Sequence, residues 1–187
     1  MQDDARARWA WPVQLLHWLG VLLVLAVAAV GLTMVELERG SDLRKAAYAL
    51  HKSLGISVLA LAALRIAVRL CTRAPAPLAG PGWQRRLAHA THLLMYVLLL
   101  AVPLSGWLLN SVAGQPLPWF GLFEVPALAA KNPTLRTSVG GTHVWLFWTL
   151  AALVGLHVLA AFYHQWVRQD GLLARMLPGH RRRVRLE

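Results

Sequence analysis

The sequence has a single cysteine, Cys71, and only eight acidic residues among its 187. One cysteine excludes an internal disulfide framework. Charged residues make up 14% of the chain and hydrophobic residues 57%, a balance that excludes an ordinary soluble domain. No segment of the chain repeats at a fixed spacing.

Instead, the chain contains four apolar runs, at about 12–34, 50–70, 87–110 and 141–167. Each run is long enough to cross a bilayer core of ~30 Å as a helix. Because no water reaches the backbone there, each run is forced to be helical. We expect an all-α, integral membrane four-helix bundle in which residues 1–187 form one domain. The first run is expected to be retained, since it is longer than a signal-peptide core and follows Asp3 and Asp4.

The formal net charge of +11 is unevenly placed. Arginines flank the N-terminus, the second connection and the C-terminus: Arg6, Arg8, Arg69, Arg73, Arg85, Arg86, Arg168, Arg175, Arg181, Arg182, Arg183 and Arg185. In the other connections, acidic residues dilute the basic ones. The positive-inside rule therefore predicts that both termini are cytoplasmic. This placement argues against nucleic-acid binding, and we expect the basic tail at 180–183 to anchor the chain at lipid head groups.

Histidines are placed within or beside all four runs. His143 and His157 lie on the last run, fourteen residues apart, which in a helix gives ~21 Å along one face. Two histidines lie near the periplasmic side, which we call the outer level: His51, at the start of the second run, and His143. The level nearer the cytoplasm is called the inner level. At the inner level His157 can pair with His17, His89, His92 or His164. We predict His17, because of its depth inside the first run and the adjacency of first and last helices in a simple bundle.

The chemistry of these pairs favours haem over zinc. Structural zinc needs four converging ligands, usually with thiolates. Two opposed neutral imidazoles suit the axial positions of a haem iron. Such iron has no open position for dioxygen, so the sequence predicts electron transfer through two b-type haems. Without a Cys-x-x-Cys-His motif, both haems must be non-covalent.

Three further residues near these histidines are candidates for the same chemistry. Gly55 lies one turn below His51, either to let a flat macrocycle approach the backbone or to pack helices. Arg65 is placed to pair with haem propionates or to reach head groups. Lys52 follows His51 and, with other outer cations, either attracts an anion or is ordinary surface charge.

The sequence also predicts the conformation of two connections and a kink in one helix. Residues 35–47 are expected to lack secondary structure. Residues 117–123 are too short to span and aromatic enough to lie on the membrane surface, as a lid. Pro103 is expected to kink the third helix.

Taken together, several segments resemble the bacterial cytochrome b561 family. The resemblance rests on His17-Trp18, His51-Lys52-Ser53-Leu54-Gly55 with Arg65 and Arg69, Leu87-Ala88-His89-Ala90-Thr91-His92, Pro103-Leu104-Ser105-Gly106-Trp107, Pro118-Trp119-Phe120-Gly121, and His143 with His157. It covers nearly the whole chain and is closest to the small di-haem quinone reductases described as superoxide oxidases.

The resemblance implies a bacterial inner-membrane protein with His17, His51, His143 and His157 as the haem ligands. It implies that periplasmic superoxide is oxidised and that electrons pass through both haems to ubiquinone, with His164 near the quinone. A second hypothesis is an electron-relay anchor for a separate periplasmic dehydrogenase or hydrogenase. A transporter or channel is disfavoured, since the spans lack acidic residues.

Overall fold

The computed structural model describes residues 8–78 and 80–177, and four long helices dominate it. Their bounds are α1 Trp11–Met34, α2 Asp42–Leu70, α3 Gly82–Val112 and α4 Pro133–Tyr163, and α4 continues as a π-helical turn over His164–Arg168. All four are long and apolar enough to cross a membrane. This confirms the all-α membrane bundle predicted from the apolar runs.

Two helices begin well outside the apolar runs. α2 begins at Asp42, where the Ser41 hydroxyl accepts a hydrogen bond from the Arg44 backbone N–H. α4 begins at Pro133, where the Asn132 side chain accepts from the Thr134 N–H. Side-chain caps of this kind set helix ends independently of hydropathy. The expectation that residues 35–47 lack secondary structure was therefore wrong from Asp42 onward.

Consecutive helices pack together: α1 on α2, α2 on α3 and α3 on α4. Within the described residues, α1 and α4 share little contact. α3 runs without a break through the buried Pro103, and the kink expected there stays a prediction. Much of the apolar surface faces outward, including Leu22, Trp145 and Leu159, as expected for helices surrounded by lipid.

The connection between α3 and α4 folds back over one end of α2. Its short strands, β1 Pro118–Trp119 and β2 Phe123–Glu124, pair antiparallel. The Ser53 hydroxyl donates to the Pro118 carbonyl and accepts from the Phe120 N–H, and the Trp119 indole donates to the Ser57 hydroxyl. The hairpin is thus fixed to the helix that carries His51. Whether it also lies on a membrane surface stays a prediction.

At the opposite end, the two chain ends and the second connection form one layer. The Trp9 N–H and the Gln14 side chain both donate to the Arg175 carbonyl, while the Arg175 guanidinium donates to the Ala76 carbonyl. The Arg69 guanidinium lies 4.4 Å from the centre of the Trp9 ring. The arginine-rich segments therefore share one end of the bundle, as the four-span topology predicted. Arg6 and the basic tail at 180–183 lie outside the described residues.

Candidate functional site

His51 on α2 and His143 on α4 meet near the hairpin end of the bundle. Their ring centres are 6.3 Å apart and their planes are nearly perpendicular, at 87°. Both side chains are half-buried. The structure thus brings together the two histidines that the sequence predicts at the outer level.

Each of these rings rests against a glycine of a neighbouring helix. A Cβ atom at Gly31 of α1 would lie 2.8 Å from the His51 ring, and one at Gly106 of α3 would lie 3.0 Å from the His143 ring. Real Cβ atoms essentially never come within 3.0 Å of another residue's heavy atom. A side chain at position 31 therefore requires the His51 ring to shift, and one at position 106 requires the His143 ring to give by a few tenths of an ångström.

Each ring also hydrogen-bonds the carbonyl one turn before that glycine. His51 Nδ1 lies 3.1 Å from the Val27 oxygen, and His143 Nδ1 lies 3.0 Å from the Val102 oxygen and 2.9 Å from Ser105 Oγ. A carbonyl can only accept, so Nδ1 carries the hydrogen in both rings. The lone pair is then on Nε2, which is the arrangement that orients a metal-ligating imidazole.

The spacing of this pair fits one metal ion held between two imidazoles. Two metal–nitrogen bonds of about 2 Å place opposed ring centres about 6 Å apart. The observed 6.3 Å agrees with this value. Among the described residues, no group of three or more His, Cys, Asp or Glu side chains converges to hold a metal ion. The geometry therefore suits a metal that takes its remaining ligands from a macrocycle.

A second histidine cluster lies deeper along α4. The His157 and His92 ring centres are 5.4 Å apart, and His17 is close enough to both for their charges to interact. The Arg65 guanidinium shares the cluster and lies 5.4 Å from the centre of the Tyr96 ring. The structure therefore gathers His17, predicted as the partner of His157, together with His92, which had been an alternative.

Two buried polar atoms of this cluster have no hydrogen-bond partner among the described residues. They are His17 Nδ1 and Arg65 Nε. Buried donors and acceptors are nearly always paired, and an unpaired one needs an explanation. A guanidinium and imidazoles at one level match a cofactor that combines a metal with carboxylate groups.

Comparison with known proteins identifies the family of this chain. Residues 8–179 match the family model described as prokaryotic cytochrome b561. The chain belongs to the prokaryotic cytochrome b561 family. Its relatives include cytochrome b561 homolog 2 of Escherichia coli K12, 36% identical over 162 residues and 86% of each chain. The probable superoxide oxidase CybB of Yersinia pestis is 33% identical over 171 residues, covering 89% of this chain and 93% of that protein.

Membership of the cytochrome b561 family confirms the resemblance inferred from the motifs. It implies membrane electron transfer by b-type haem, and the outer histidine pair fits that group in spacing and tautomer. Cytochrome b561 homolog 1 of Escherichia coli K12 is more distant, at 26% identity over 164 residues, 87% of this chain and 93% of that protein.

The other candidate residues are distributed around these two levels. None of the described residues lies within 4 Å of a Cβ atom built at Gly55, so close packing against them does not explain this glycine. The Lys52 amine donates to Asn110 Oδ1 at 3.2 Å and to the Pro116 carbonyl at 3.1 Å. His164, at the end of α4, pairs with Asp170. His89 is exposed at the start of α3, where its Nδ1 bonds the Arg85 carbonyl.

Sequence reasoning missed the features that support the histidines. In the sequence, nothing distinguishes Gly31 from the ordinary small residues of membrane helices, whereas Gly55 is marked by its position close to His51. Gly106 does carry a signal, because it belongs to the Pro103-Leu104-Ser105-Gly106-Trp107 segment that resembles the family. Nothing in the sequence marks the carbonyls of Val27 and Val102 as acceptors.

Proposed function

We propose that this cytochrome b561 oxidises superoxide at the hairpin end of the bundle and passes the electrons to ubiquinone at the arginine-rich end. The pairing of His51 with His143, each braced by a neighbouring helix, is the observation that carries the proposal. Two haems b, when bound, supply reversible one-electron exchange at two levels of the membrane. The name of the 33%-identical relative supports superoxide as the donor.

In this proposal the outer haem is held by His51 and His143 and the inner one by His17 and His157. Gly55 leaves room for a macrocycle, and Arg65 pairs with a propionate of the inner haem. His143 and His157 lie fourteen residues apart on one helix, so the two levels are separated by ~21 Å. The bundle is oriented in the bacterial inner membrane with both termini in the cytoplasm.

Lys52 is proposed to attract superoxide to the outer level. Its two hydrogen bonds go to neutral oxygens of Asn110 and Pro116, so they hold the amine in place without cancelling its charge. Lys45, in contrast, forms an ion pair with Asp42 at 2.8 Å. A fixed cation next to a ligand of the outer haem raises the local concentration of a small anion.

The electron balance requires two superoxide ions for each quinone. Each superoxide gives up one electron and leaves as dioxygen, and ubiquinone takes two electrons and two protons to become ubiquinol. His164, at the arginine-rich end of α4, is the proposed proton donor to the quinone, because imidazole exchanges protons near neutral pH.

The test is to add enzymatically generated superoxide to the purified protein and to follow the reduced b-haem absorption. We expect rapid reduction, abolished by superoxide dismutase, and re-oxidation when ubiquinone is added. Protein that is reduced by dithionite but never by superoxide would reject superoxide as the donor. It would favour the alternative function, an electron-relay anchor for a periplasmic dehydrogenase or hydrogenase.

A further inference from the structure

The last turns of α4 form an unusual structure around His164. The helix changes to π-helical geometry over His164–Arg168, and Gln169 then adopts a left-handed conformation, with φ of 50°. Gly171 follows, with φ of 75°. Positive φ is costly for a residue other than glycine, and single π-helical turns occur often at functional sites.

This backbone brings Asp170 back onto the imidazole. His164 Nδ1 and Asp170 Oδ2 are 2.5 Å apart. In an uninterrupted α-helix, residues six positions apart are ~9 Å apart along the axis and point in different directions. The widened turn and the left-handed Gln169 are therefore what allow the contact. The second carboxylate oxygen, Oδ1, accepts from the Leu172 N–H at 3.2 Å and holds the loop closed.

His164 continues the inward-facing stripe of α4. His143, Leu150, His157 and His164 follow one another at intervals of seven residues, so they lie on nearly the same face. Leu150 is only 6% exposed, which marks this face as the one that packs inside the bundle. The side chains of His164 and Asp170 are 29% and 20% exposed. The pair is thus half-buried, about two turns beyond His157.

We infer that Asp170 is a positioning residue that holds His164 with its hydrogen on Nδ1, so that Nε2 faces a quinone and delivers the proton. This rests on the proposed function, which names ubiquinone as acceptor. A carboxylate bonded to Nδ1–H fixes the tautomer and the orientation of an imidazole. The imidazolium form of His164 gives its Nε2 proton to a reduced quinone oxygen. The neutral ring that remains keeps Nδ1–H bonded to Asp170, and solvent returns the proton to Nε2.

The experiment begins from protein reduced by dithionite, so that its outcome does not depend on superoxide. Re-oxidation by a short-chain ubiquinone is followed by stopped flow in wild type, Asp170→Ala, Asp170→Asn and Asp170→Glu. We expect re-oxidation to slow on the order of 10-fold or more in the first two variants, and partial recovery in Asp170→Glu. Asp170→Asn retains an oxygen for the Leu172 N–H, which keeps the loop bond. Glu36→Gln, an exposed carboxylate of the outer connection, is the matched control and is expected to behave as wild type.

A second readout reports the tautomer directly. In protein with 15N-labelled histidine, the His164 signal is assigned by its loss in His164→Gln. We expect the hydrogen on Nδ1 in wild type and a shift toward Nε2 in Asp170→Ala. Wild-type rates in Asp170→Ala, or an unchanged tautomer, would overturn the role of Asp170 while leaving the proposed function intact. Wild-type protein that ubiquinone fails to re-oxidise would instead overturn the proposed function.

Discussion

The ring centres of His51 and His143 lie 6.3 Å apart, yet each ring is held in place by a helix to which it does not belong. α1 contributes Gly31 and the Val27 carbonyl to His51, and α3 contributes Gly106 and the Val102 carbonyl to His143. The outer site is therefore built by all four helices, although only two of them supply imidazoles. This relationship predicts that residues with no metal-binding chemistry control the outer haem.

Gly31→Ala and Gly106→Ala are expected to lose the outer haem or bind it weakly. An added methyl would lie 2.8 Å from the His51 ring in Gly31→Ala, which must shift, and 3.0 Å from the His143 ring in Gly106→Ala, which must give by a few tenths of an ångström, so the larger loss is expected in Gly31→Ala. Each imidazole is fixed both by its own helix and by the neighbouring helix, and a close-packed interior accommodates even small displacements of a ring poorly. The measurement is haem per protein by the pyridine haemochrome assay, together with the low-temperature spectrum, which separates two haems in different environments.

Gly155→Ala is the control for this pair, because a methyl group there lies more than 4 Å from every neighbour in the part of the chain that the structure describes. We expect it to retain wild-type haem content. Full haem content in both Gly31→Ala and Gly106→Ala would contradict the steric role of these glycines. The methyl group of Gly55→Ala likewise meets none of the described residues, so haem loss in that variant would indicate direct approach of the macrocycle.

The inner level gives a second prediction, which concerns the partner of His157. His17→Ala and His157→Ala are each expected to remove the inner haem and leave the outer one, whereas His92→Ala is expected to retain both. The reason is that His17 is half-buried among the helices, whereas His92 is exposed. Haem stoichiometry and spectra of the three variants decide this. Loss of the inner haem in His92→Ala alone would reverse the assignment.

The levels of the sites were predictable from the sequence, but their supports were not. A fourteen-residue spacing in a forced helix fixes the depth and face of His143 and His157, and the depth of His51 predicts that it lies near His143, as it does in the structure. The contacts of Gly31 and Gly106 depend on how α1 and α3 rotate against their neighbours, and apolar runs contain no periodicity that reports rotation. The His164–Asp170 contact needs a π-helical turn, and no residue pattern in the sequence indicates one.

A third prediction concerns the charge of Lys52. Lys52→Gln removes a cation beside His51, so we expect the second-order rate constant for reduction by superoxide to fall several-fold and to depend less on ionic strength. Lys45→Gln is the matched control, since Lys45 is already paired with Asp42, and its effect is expected to be smaller. Both rates are measured by stopped flow over a salt series. An equal loss in the two variants would indicate a diffuse surface effect and argue against a specific role for Lys52.

The last prediction concerns Arg65, which lies near His17 and His157 in the inner cluster. A fixed positive charge near an iron centre favours the reduced form, because reduction lowers the positive charge of the iron. Arg65→Gln is therefore expected to lower the reduction potential of the inner haem by tens of millivolts. A shift of 59 mV corresponds to about a tenfold change in the equilibrium constant for transfer of one electron. Arg69 lies one turn further along α2 and stacks on Trp9, so it provides the matched control. Arg69→Gln should leave both potentials near their wild-type values. Potentiometric titration of the b-haem bands measures both variants. A changed reduction potential of the outer haem alone would contradict the assignment of Arg65 to the inner haem.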